Sequence, residues 1–95
     1  MLKPRRTTFP VLAAAKLNWT ALAQCESGGD PKSTNGGAGN YFGLYQFSAG
    51  TWRSVGGTGP ANKATVAEQR YRAELLYEQQ GSSPWPSCGH HLFDK

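Results

Sequence analysis

The sequence predicts a mainly α-helical domain in which about three helices are joined by long loops. Capping residues precede three short apolar patterns and glycines follow them, while no segment shows the strict apolar–polar alternation of a half-buried strand. At 95 residues, with 12 glycines and 6 prolines, the chain is near the lower limit for a self-sufficient core. We therefore expect one small domain with an additional covalent constraint.

Residues 1–16 are predicted to be a basic N-terminal linker or tail that precedes a domain over residues 17–89. Basic residues and a short apolar run near its start imitate a signal peptide, but the run is short and contains Pro10. The segment therefore neither establishes nor excludes export. No stretch of the sequence approaches the roughly 20 apolar residues that a transmembrane helix needs, so we expect no membrane span.

The first helix is predicted to begin after Asn18, whose side chain can serve as an N-cap, and to end at Gly28. One face of this helix carries residues at i, i+3, i+4 and i+7: Trp19, Leu22, Ala23 and Glu26. Burial on that face and the negative end of the helix dipole both oppose ionisation, so we expect a raised pKa for the Glu26 carboxyl. Such an acid is suited to proton donation near neutral pH.

A Gly- and Pro-rich loop over residues 30–40 follows the first helix. It has too little apolar content to be a packed element, and its flexible backbone is suited to form one wall of a cleft. Ser48 is then a candidate N-cap for a short second helix, which Gly56 ends.

The third helix carries the clearest signals. Thr65 and Glu68 fit a capping box, and Gly81 is suited to follow the last helical residue. Three apolar positions are predicted to recur along one face: Ala67, Tyr71 and Leu75. The residues after this helix are expected to return to the first helix.

Several sequence blocks follow one another in an order that one family shares. They are Cys25-Glu26-Ser27-Gly28-Gly29, Gln46-Phe47, Thr51-Trp52 and Trp85-Pro86-x-Cys88, and the first completes a W-x-x-[LIV]-A-x-C-E-S-G-G pattern. Between Leu17 and Gly89 the chain thereby resembles the resuscitation-promoting factor family of secreted, lysozyme-like muralytic domains from actinobacteria.

Two features depart from the usual family pattern. The loop over residues 30–40 is slightly longer than its family counterpart. The block Gly43-Leu44-Tyr45-Gln46 looks more like the Gly-Leu-Met-Gln of the broader lytic transglycosylases than the family's Gly-Gly-x-Gln. Both departures leave Glu26 untouched and bear on which loop residues contact sugar.

The resemblance implies a small lysozyme-like fold stapled by one disulfide between Cys25 and Cys88. In the loop-entropy model such a bridge is worth about 4 kcal/mol, and it holds the residue next to Glu26. Two free thiols in a cytosolic core are the alternative. Because disulfides persist in oxidising compartments, the bridge implies a secreted or cell-wall protein, with a phage virion or a phage-encoded lysin as the alternative. Trp19 and Trp85 are assigned to the core.

The resemblance also implies cleavage of peptidoglycan glycan strands with Glu26 as the catalytic residue. Ordinary glycosidases use two carboxylates, and Asp30 is the candidate second acid, although Pro31 after it is typical of a turn. The remaining acids are expected in a solvated helix or in the C-terminal tail. A single acid suits a lytic transglycosylase, and lysozyme-like hydrolysis is the other route.

In the transglycosylase route, Glu26 protonates the oxygen of the β-1,4 bond between N-acetylmuramic acid and N-acetylglucosamine. It then acts as a base while the C6 hydroxyl of the substrate closes an anhydro ring. This internal nucleophile removes the need for an enzyme nucleophile.

The candidates for substrate binding are Gln46, Tyr41, Tyr45, Thr51 and Trp52. The resemblance places Gln46 in the cleft, where its amide is suited to N-acetyl and hydroxyl groups, and a loop cap bonded to backbone is the alternative. The aromatic rings offer flat faces to sugars, with core packing as an equal alternative for Trp52. The hydroxyl of Thr51, or of Thr34, can bind a sugar hydroxyl or can instead form a hydrogen bond within a local turn.

Other chemistries are not indicated. Ser27 has no nearby His in the sequence and no G-x-S-x-G elbow, which disfavours a serine nucleophile. His90 and His91 follow Cys88, but a bridged cysteine cannot bind zinc, so residues 90–95 are interpreted as a C-terminal tail. Without a phosphate-binding loop, haem motif or dinucleotide fingerprint, we expect no metal and no cofactor.

The leading function is a peptidoglycan-cleaving muralytic enzyme, and the alternative is a lysozyme-like module that binds peptidoglycan without cleaving it. Nucleic-acid binding is disfavoured, because the net charge of +4 is modest and the basic residues do not follow a helix face. We expect a monomer that acts on glycan strands, with a cell-wall peptidase as a further candidate partner. The presence of Glu26 favours the enzyme.

Overall fold

The computed structural model describes residues 14–35 and 40–95, and its architecture is mainly helical, as predicted. The three α-helices of this part of the chain are α1 (Trp19–Ser27), α2 (Ala49–Ser54) and α3 (Val66–Gln80). Two 3₁₀-helices, Ala61–Lys63 and Gly89–Phe93, precede and follow α3. No helix in the described ranges is long and apolar enough to cross a lipid bilayer.

A short antiparallel hairpin separates α1 from α2. It pairs β1 (Thr34–Asn35) with β2 (Tyr41–Phe42), and Phe42 and Phe47 then exchange two backbone hydrogen bonds of 2.9 Å. This second pairing closes a tight turn over residues 43–46. The sequence did not predict the hairpin, because two-residue strands are too short to show an alternating pattern.

The predicted helix caps are present in α1 and α2. The Asn18 side chain accepts a hydrogen bond from the Ala21 N–H at 3.0 Å, and Gly28 ends α1 in the left-handed conformation with φ of 68°. Gly28 N–H and the next N–H donate to two carbonyls near the helix end, which would otherwise lack partners. Ser48 likewise caps α2 by accepting from the Thr51 N–H at 3.2 Å.

Trp19 is at the centre of the core, as predicted for this residue and for Trp85. Its ring meets those of Tyr45, Tyr77 and Trp85 edge-on, with centroid distances of 5.6, 6.3 and 5.7 Å. The Trp19 indole N–H donates to the Ala14 carbonyl at 2.8 Å, and that of Trp85 donates to the Tyr45 carbonyl at 3.0 Å. Edge-to-face packing with satisfied indole groups therefore joins α1, α3 and the segment after α3.

The start of α3 is as predicted, but its predicted buried face is wrong. Thr65 Oγ1 accepts from the Glu68 N–H at 3.0 Å, which forms the expected cap. Of the predicted face, Ala67 and Tyr71 are exposed and Leu75 alone packs, partly buried, against the core. The buried side chains of α3 are Gln69, Ala73, Glu74 and Leu76. Because two of these four are polar, the side that packs on the core does not appear as an apolar repeat.

Gln69 explains how a polar residue occupies the core side of α3. Its Oε1 accepts from the Leu44 N–H at 2.8 Å, and its Nε2 donates to the carbonyls of Pro31 and Ala64 at 3.1 and 3.0 Å. A Cβ at Gly43 would collide with this amide, so the glycine, with φ of 82°, leaves the room that the amide occupies. One buried side chain thus connects three loops to α3.

The predicted disulfide is confirmed. Cys25 and Cys88 are joined at an S–S distance of 2.01 Å, and the bridge links residues 63 positions apart. It attaches the last turn of α1 to the segment that follows α3. The bridge therefore supplies the covalent constraint that the small core was expected to need.

The packed unit extends beyond both predicted domain boundaries. Leu92 is 1% exposed, and its carbonyl accepts from the Asn18 N–H at 2.8 Å, so the expected C-terminal tail packs against α1. Ala14, predicted to belong to the linker, is also 1% exposed. A single apolar residue such as Leu92 forms no periodic pattern from which its burial follows. Most of the predicted linker, residues 1–13, lies outside the described ranges.

Candidate active site

Glu26 lies in the last turn of α1, on the face that also carries the buried Trp19 and Leu22. Its side chain is half-buried, and this burial raises the pKa of its carboxyl above the ordinary value of 4.5. None of the ion pairs among the described residues includes Glu26. The carboxyl therefore keeps its proton to a higher pH than an exposed glutamate does, as expected from its place in the helix.

The two neighbours of Glu26 in the chain hold the end of α1 in place. Cys25 carries the disulfide. The Ser27 hydroxyl donates to the Ala23 carbonyl at 3.1 Å and accepts from the Asp30 N–H at 3.1 Å. Since its hydroxyl bonds to backbone on both sides, Ser27 has a structural role that accounts for its presence beside Glu26.

Asp30 occupies the turn that its sequence context predicts. Its Oδ1 accepts from the Lys32 N–H at 2.9 Å, which is the geometry of an Asx turn, and the residue is exposed. This arrangement directs the carboxylate to local backbone. Asp30 therefore helps to shape the loop that leaves α1.

Gln46 fastens the turn after β2 to the loop that leaves α1. Its Nε2 donates to the Gly43 carbonyl at 2.9 Å and to the Ser33 hydroxyl at 3.2 Å. Its φ of 55° is in the left-handed region, where residues other than glycine are uncommon. The amide thus forms the loop cap that was the alternative to direct sugar contact. Through its bond to Ser33, the Gln46 amide also connects this turn to the loop that leaves α1 just after Glu26.

Two predicted sugar contacts are buried in the structure. Tyr45 is 3% exposed and packs against Trp19, and burial raises the pKa of its phenol to about 12. Trp52 is 1% exposed, with its indole N–H bonded to the Thr58 carbonyl at 3.2 Å and its ring 4.9 Å from that of Phe47. Neither ring presents a face to a ligand here, so both residues are reassigned from sugar contact to packing.

Tyr41 and Thr51 remain accessible to a ligand. Tyr41 is 46% exposed in β2, at the edge of the short hairpin. Thr51 is half-buried, and its Oγ1 accepts from the Ser48 hydroxyl at 2.9 Å. Of the predicted binding residues, these two and Gln46 retain exposed surface.

Two of the acids on α3 are withdrawn from solvent, contrary to expectation: Glu74, and Glu78 through its buried Oε1. Glu74 is 7% exposed and pairs with Arg70 at 2.8 Å, and Arg70 also donates to the Ala15 carbonyl at 2.9 Å. The sequence did not reveal this pair, because an i, i+4 Arg–Glu spacing is also typical of exposed helix faces. The pair helps attach the segment before α1 to α3.

The residues near the C-terminus hold no metal-type cluster. Cys88 is committed to the disulfide, and His91 Nδ1 lies 2.8 Å from the Asp94 carboxylate. Within the described ranges, no three His, Cys, Asp or Glu side chains lie close enough together to hold a metal ion. His90 and His91 instead belong to the 3₁₀-helix that packs against α1.

Three cavities of about 500 to 580 Å³ are lined by described residues, and none of the three includes Glu26. One lies between residues 31–32 and 62–66, a second lies along α3, and the third lies beside Phe42 and Arg53. These three cavities therefore give no indication of the role of Glu26. The half-buried position of Glu26 and its raised pKa are the features that mark it as a candidate acid.

Residues 13–88 match the family model of the transglycosylase-like domain. The chain belongs to this family. The match contains α1 with Glu26, the hairpin, α2, α3 and both cysteines of the disulfide.

Among characterised proteins, the chain is similar to resuscitation-promoting factors. It is 49% identical over 86 residues to RpfE of Mycobacterium tuberculosis, which covers 90% of this chain and 49% of that protein. It is 43% identical over 85 residues to Rpf of Micrococcus luteus, covering 87% of this chain and 36% of the relative. The chain thus spans half or less of the length of these two relatives. The resemblance inferred from the sequence blocks is confirmed.

Sequence reasoning missed two residues that shape the transglycosylase-like site. Ser33 receives the Gln46 amide, and Gln69 holds the loop and turn that flank it. The signal for Gln69 was its spacing, four and seven residues before Ala73 and Leu76, on the same helix face. Nothing comparable marks Ser33, because its partner is set by the tertiary fold.

Proposed function

We propose that this transglycosylase-like domain is a muralytic enzyme that cleaves the β-1,4 bond between N-acetylmuramic acid and N-acetylglucosamine in peptidoglycan. The observation that carries the proposal is the half-buried Glu26 carboxyl, whose pKa is raised by burial. Family membership and the similarity to resuscitation-promoting factors support peptidoglycan as the substrate.

In the proposed mechanism, Glu26 is the only catalytic carboxyl. Its protonated form donates to the glycosidic oxygen as the bond to C1 breaks, and the resulting carboxylate then removes a proton from the C6 hydroxyl. That oxygen attacks C1 and closes the anhydro ring, so no enzyme nucleophile is needed. The Asx turn at Asp30, which accounts for that carboxylate, supports a single-acid route.

The proposed sugar contacts are Tyr41, Thr51 and the exposed part of Gln46. Tyr41 offers a ring face with a hydroxyl at its edge, which suits the mixed apolar and polar surface of a pyranose. Because both amide hydrogens of Gln46 are bonded within the domain, its main contribution is to hold the turn that borders the substrate.

We propose that the domain acts outside the cytoplasm, at the cell wall. The Cys25–Cys88 disulfide supports this location, because such bridges form and persist in oxidising compartments. The relatives named above are bacterial proteins and lend no support to a phage origin. A peptidase partner and a monomeric state stay predictions.

Mass spectrometry of the products from purified cell walls tests the proposal. Anhydro-muropeptides are expected from the transglycosylase route. Products with reducing ends would indicate hydrolysis and would replace the C6-hydroxyl step by attack of water. Binding to the wall without any release of products would contradict the enzymatic assignment and favour the non-catalytic module.

A further inference from the structure

Helix α2 carries Thr51, one of the proposed sugar contacts, but it is too short to hold its own position. It has six residues, and isolated helices shorter than about 12 residues are at best marginally stable in water. Trp52 and Val55 bury one side of α2 in the core, at 1% and 5% exposure. Because apolar burial is non-directional, hydrogen bonds at the helix ends decide how α2 is rotated and where Thr51 lies.

The C-terminal end of α2 is bound to α3 by Arg72. Arg72 Nη1 donates to the Val55 carbonyl at 2.8 Å, and a charged donor makes this one of the stronger kinds of hydrogen bond. At the end of a helix, no following turn supplies a donor to such a carbonyl. The guanidinium is also held by its other contacts: its Nε donates to Glu68 at 3.2 Å, and its central carbon lies 5.1 Å from the centroid of the Tyr71 ring.

The backbone beside this bond leaves room for the guanidinium. Gly56 follows Val55 with φ of 90°, and a Cβ at this glycine would lie 2.8 Å from Arg72 Nη1. A carbon atom that close would force the guanidinium to move. The Arg72 side chain is 23% exposed, so its bond to the Val55 carbonyl is largely shielded from water. Sequence and packing at this point are therefore consistent with a specific contact.

We propose that Arg72 is a positioning residue for the glycan strand, an inference that rests on the proposed function. Thr51 lies one helical turn before Val55, about 6 Å away along the axis of α2. By binding the carbonyl at the end of this turn, Arg72 fixes the rotation of the helix and hence the direction of the Thr51 hydroxyl. Arg72 acts on the substrate only through α2.

The Thr51 hydroxyl is suited to donate a hydrogen bond when α2 is held in this way. Its oxygen accepts from the Ser48 hydroxyl at 2.9 Å, and no acceptor for its own hydrogen is found in the part of the chain that the structure describes. Ser48 is itself fixed, since its oxygen accepts from the Thr51 N–H at 3.2 Å. The glycan strand offers hydroxyl and N-acetyl carbonyl oxygens as acceptors. A donor that points elsewhere loses this bond and weakens binding, whereas the Glu26 acid is left in place.

Binding is measured in the Glu26→Gln background, so that no cleavage accompanies it. The probe is tetra-N-acetylchitotetraose, titrated while amide chemical shifts are followed by NMR. A double-mutant cycle combines Arg72→Met with Thr51→Val, which keeps the shape of the threonine but removes its hydroxyl. We expect each single variant to bind the tetramer about fivefold more weakly, and the double variant to bind no more weakly than Thr51→Val alone. Arg72→Lys keeps a charged donor and should recover part of the loss.

Arg70→Met is the matched control. Arg70 belongs to the same helix and makes the same two kinds of bond, to Glu74 at 2.8 Å and to the Ala15 carbonyl at 2.9 Å, but it holds the segment before α1 instead of α2. This variant should bind the tetramer as the background protein does, even where its melting temperature falls. Amide shifts without ligand should divide in the same way: Arg72→Met moves the resonances of residues 48–55, and Arg70→Met leaves them in place.

Several results would overturn the proposal. They are additive losses from Arg72→Met and Thr51→Val, equal weakening by Arg70→Met, a folded Arg72→Met variant that binds as the background does, or no binding of the tetramer by the background protein. Should Arg72→Met not fold, Arg72→Lys takes its place in the cycle under the same criteria. Product release from cell walls by the unsubstituted protein reports separately on the proposed function. Cleavage without coupling between Arg72 and Thr51 would reject this inference alone, and coupling without cleavage would reject the enzymatic assignment alone.

Discussion

At the scale of single residues, Glu26 lies where burial disfavours its ionised carboxylate, whereas its two neighbours in the chain have bonding partners. Cys25 is bridged, and the Ser27 hydroxyl bonds to backbone on both sides. Burial raises the pKa of the Glu26 carboxyl, so its ionised form is less stable in the folded chain than in the unfolded chain. A residue that costs stability at neutral pH is best explained by its chemistry.

Glu26→Gln should abolish release of muropeptides and should melt at the same or a higher temperature than the wild type at pH 7. The unfolded chain binds fewer protons than the folded one between pH 4.5 and the raised pKa, so ionisation of Glu26 lowers stability as the pH rises through that window. The amide cannot ionise and escapes this cost. The melting temperatures of the wild type and of Glu26→Gln should therefore differ most at pH 7 and should become equal below pH 4, as measured by thermal melts.

The matched control for this variant is Glu68→Gln, which removes one carboxylate of a surface ion pair on α3. It should retain activity, because Glu68 lies in the first turn of α3, where its carboxylate pairs with Arg72 and not with any residue proposed to contact substrate. Activity of Glu26→Gln within a few-fold of the wild type would remove Glu26 from the mechanism.

The pH dependence of kcat/KM should show the same carboxyl. Because Glu26 donates its proton in the first step, activity should fall as the pH rises through its raised pKa. The alkaline limb should therefore lie above pH 4.5, measured on soluble glycan fragments. A profile that keeps rising with pH would show that a protonated Glu26 is not required.

At the scale of elements, the site depends on loops whose backbone is hydrogen-bonded to a side chain of α3. Gln69 is 0% exposed and bonds to the backbone of three different loops. One is the turn that contains Gln46, and another is the Pro31–Ser33 segment to which Gln46 bonds. Helix α3 itself carries no proposed catalytic group. Its contribution is to set the relative positions of the Pro31–Ser33 segment and the turn over residues 43–46.

Gln69→Leu should destabilise the domain by about 3 kcal/mol, because it leaves the buried Leu44 N–H and two partly buried carbonyls without partners, and an unsatisfied buried group costs about 1–3 kcal/mol. Denaturant unfolding measures this loss. Gln79→Leu, an exposed position on the same helix, should change stability little. If the two variants were equally stable, the Gln69 bonds would not be what holds these loops.

The elements differ in how far their sequence revealed them. The caps Asn18, Ser48 and Thr65 were predictable, because each bonds to backbone within three residues. The role of Gln69 was not, since its partners lie 25 and 38 residues away, in addition to one nearby. Similarly, the burial of Tyr45 depends on Trp19 from another element, which no local pattern encodes.

At the scale of the whole molecule, two constraints hold a small core together. One is the cluster of edge-to-face rings around Trp19, and the other is the disulfide between the end of α1 and the segment after α3. The disulfide was predictable only through the family resemblance, because two cysteines in a sequence do not by themselves establish a bridge. Burial of Leu92 and Ala14 completes the core at its two ends.

Reduction of the disulfide should lower stability by about 4 kcal/mol, because the bridge restricts a long loop in the unfolded chain. Thermal melts with and without reductant measure the effect, and a Cys25→Ser/Cys88→Ser variant provides the reference that reductant should not change. Non-reducing mass analysis should find the chain two hydrogens lighter than the dithiol. Ready labelling of both thiols in air-exposed protein would contradict the bridge.

The packing of the C-terminal 3₁₀-helix on α1 brings the two ends of the described unit side by side. Asn18 bonds to the carbonyls of Leu92 and Asp94, at 2.8 and 3.4 Å. A polypeptide that enters this unit at α1 therefore leaves it beside its point of entry. Such a unit can be inserted into a surface loop of another protein, or circularly permuted through a short linker, without moving Glu26 relative to its supports.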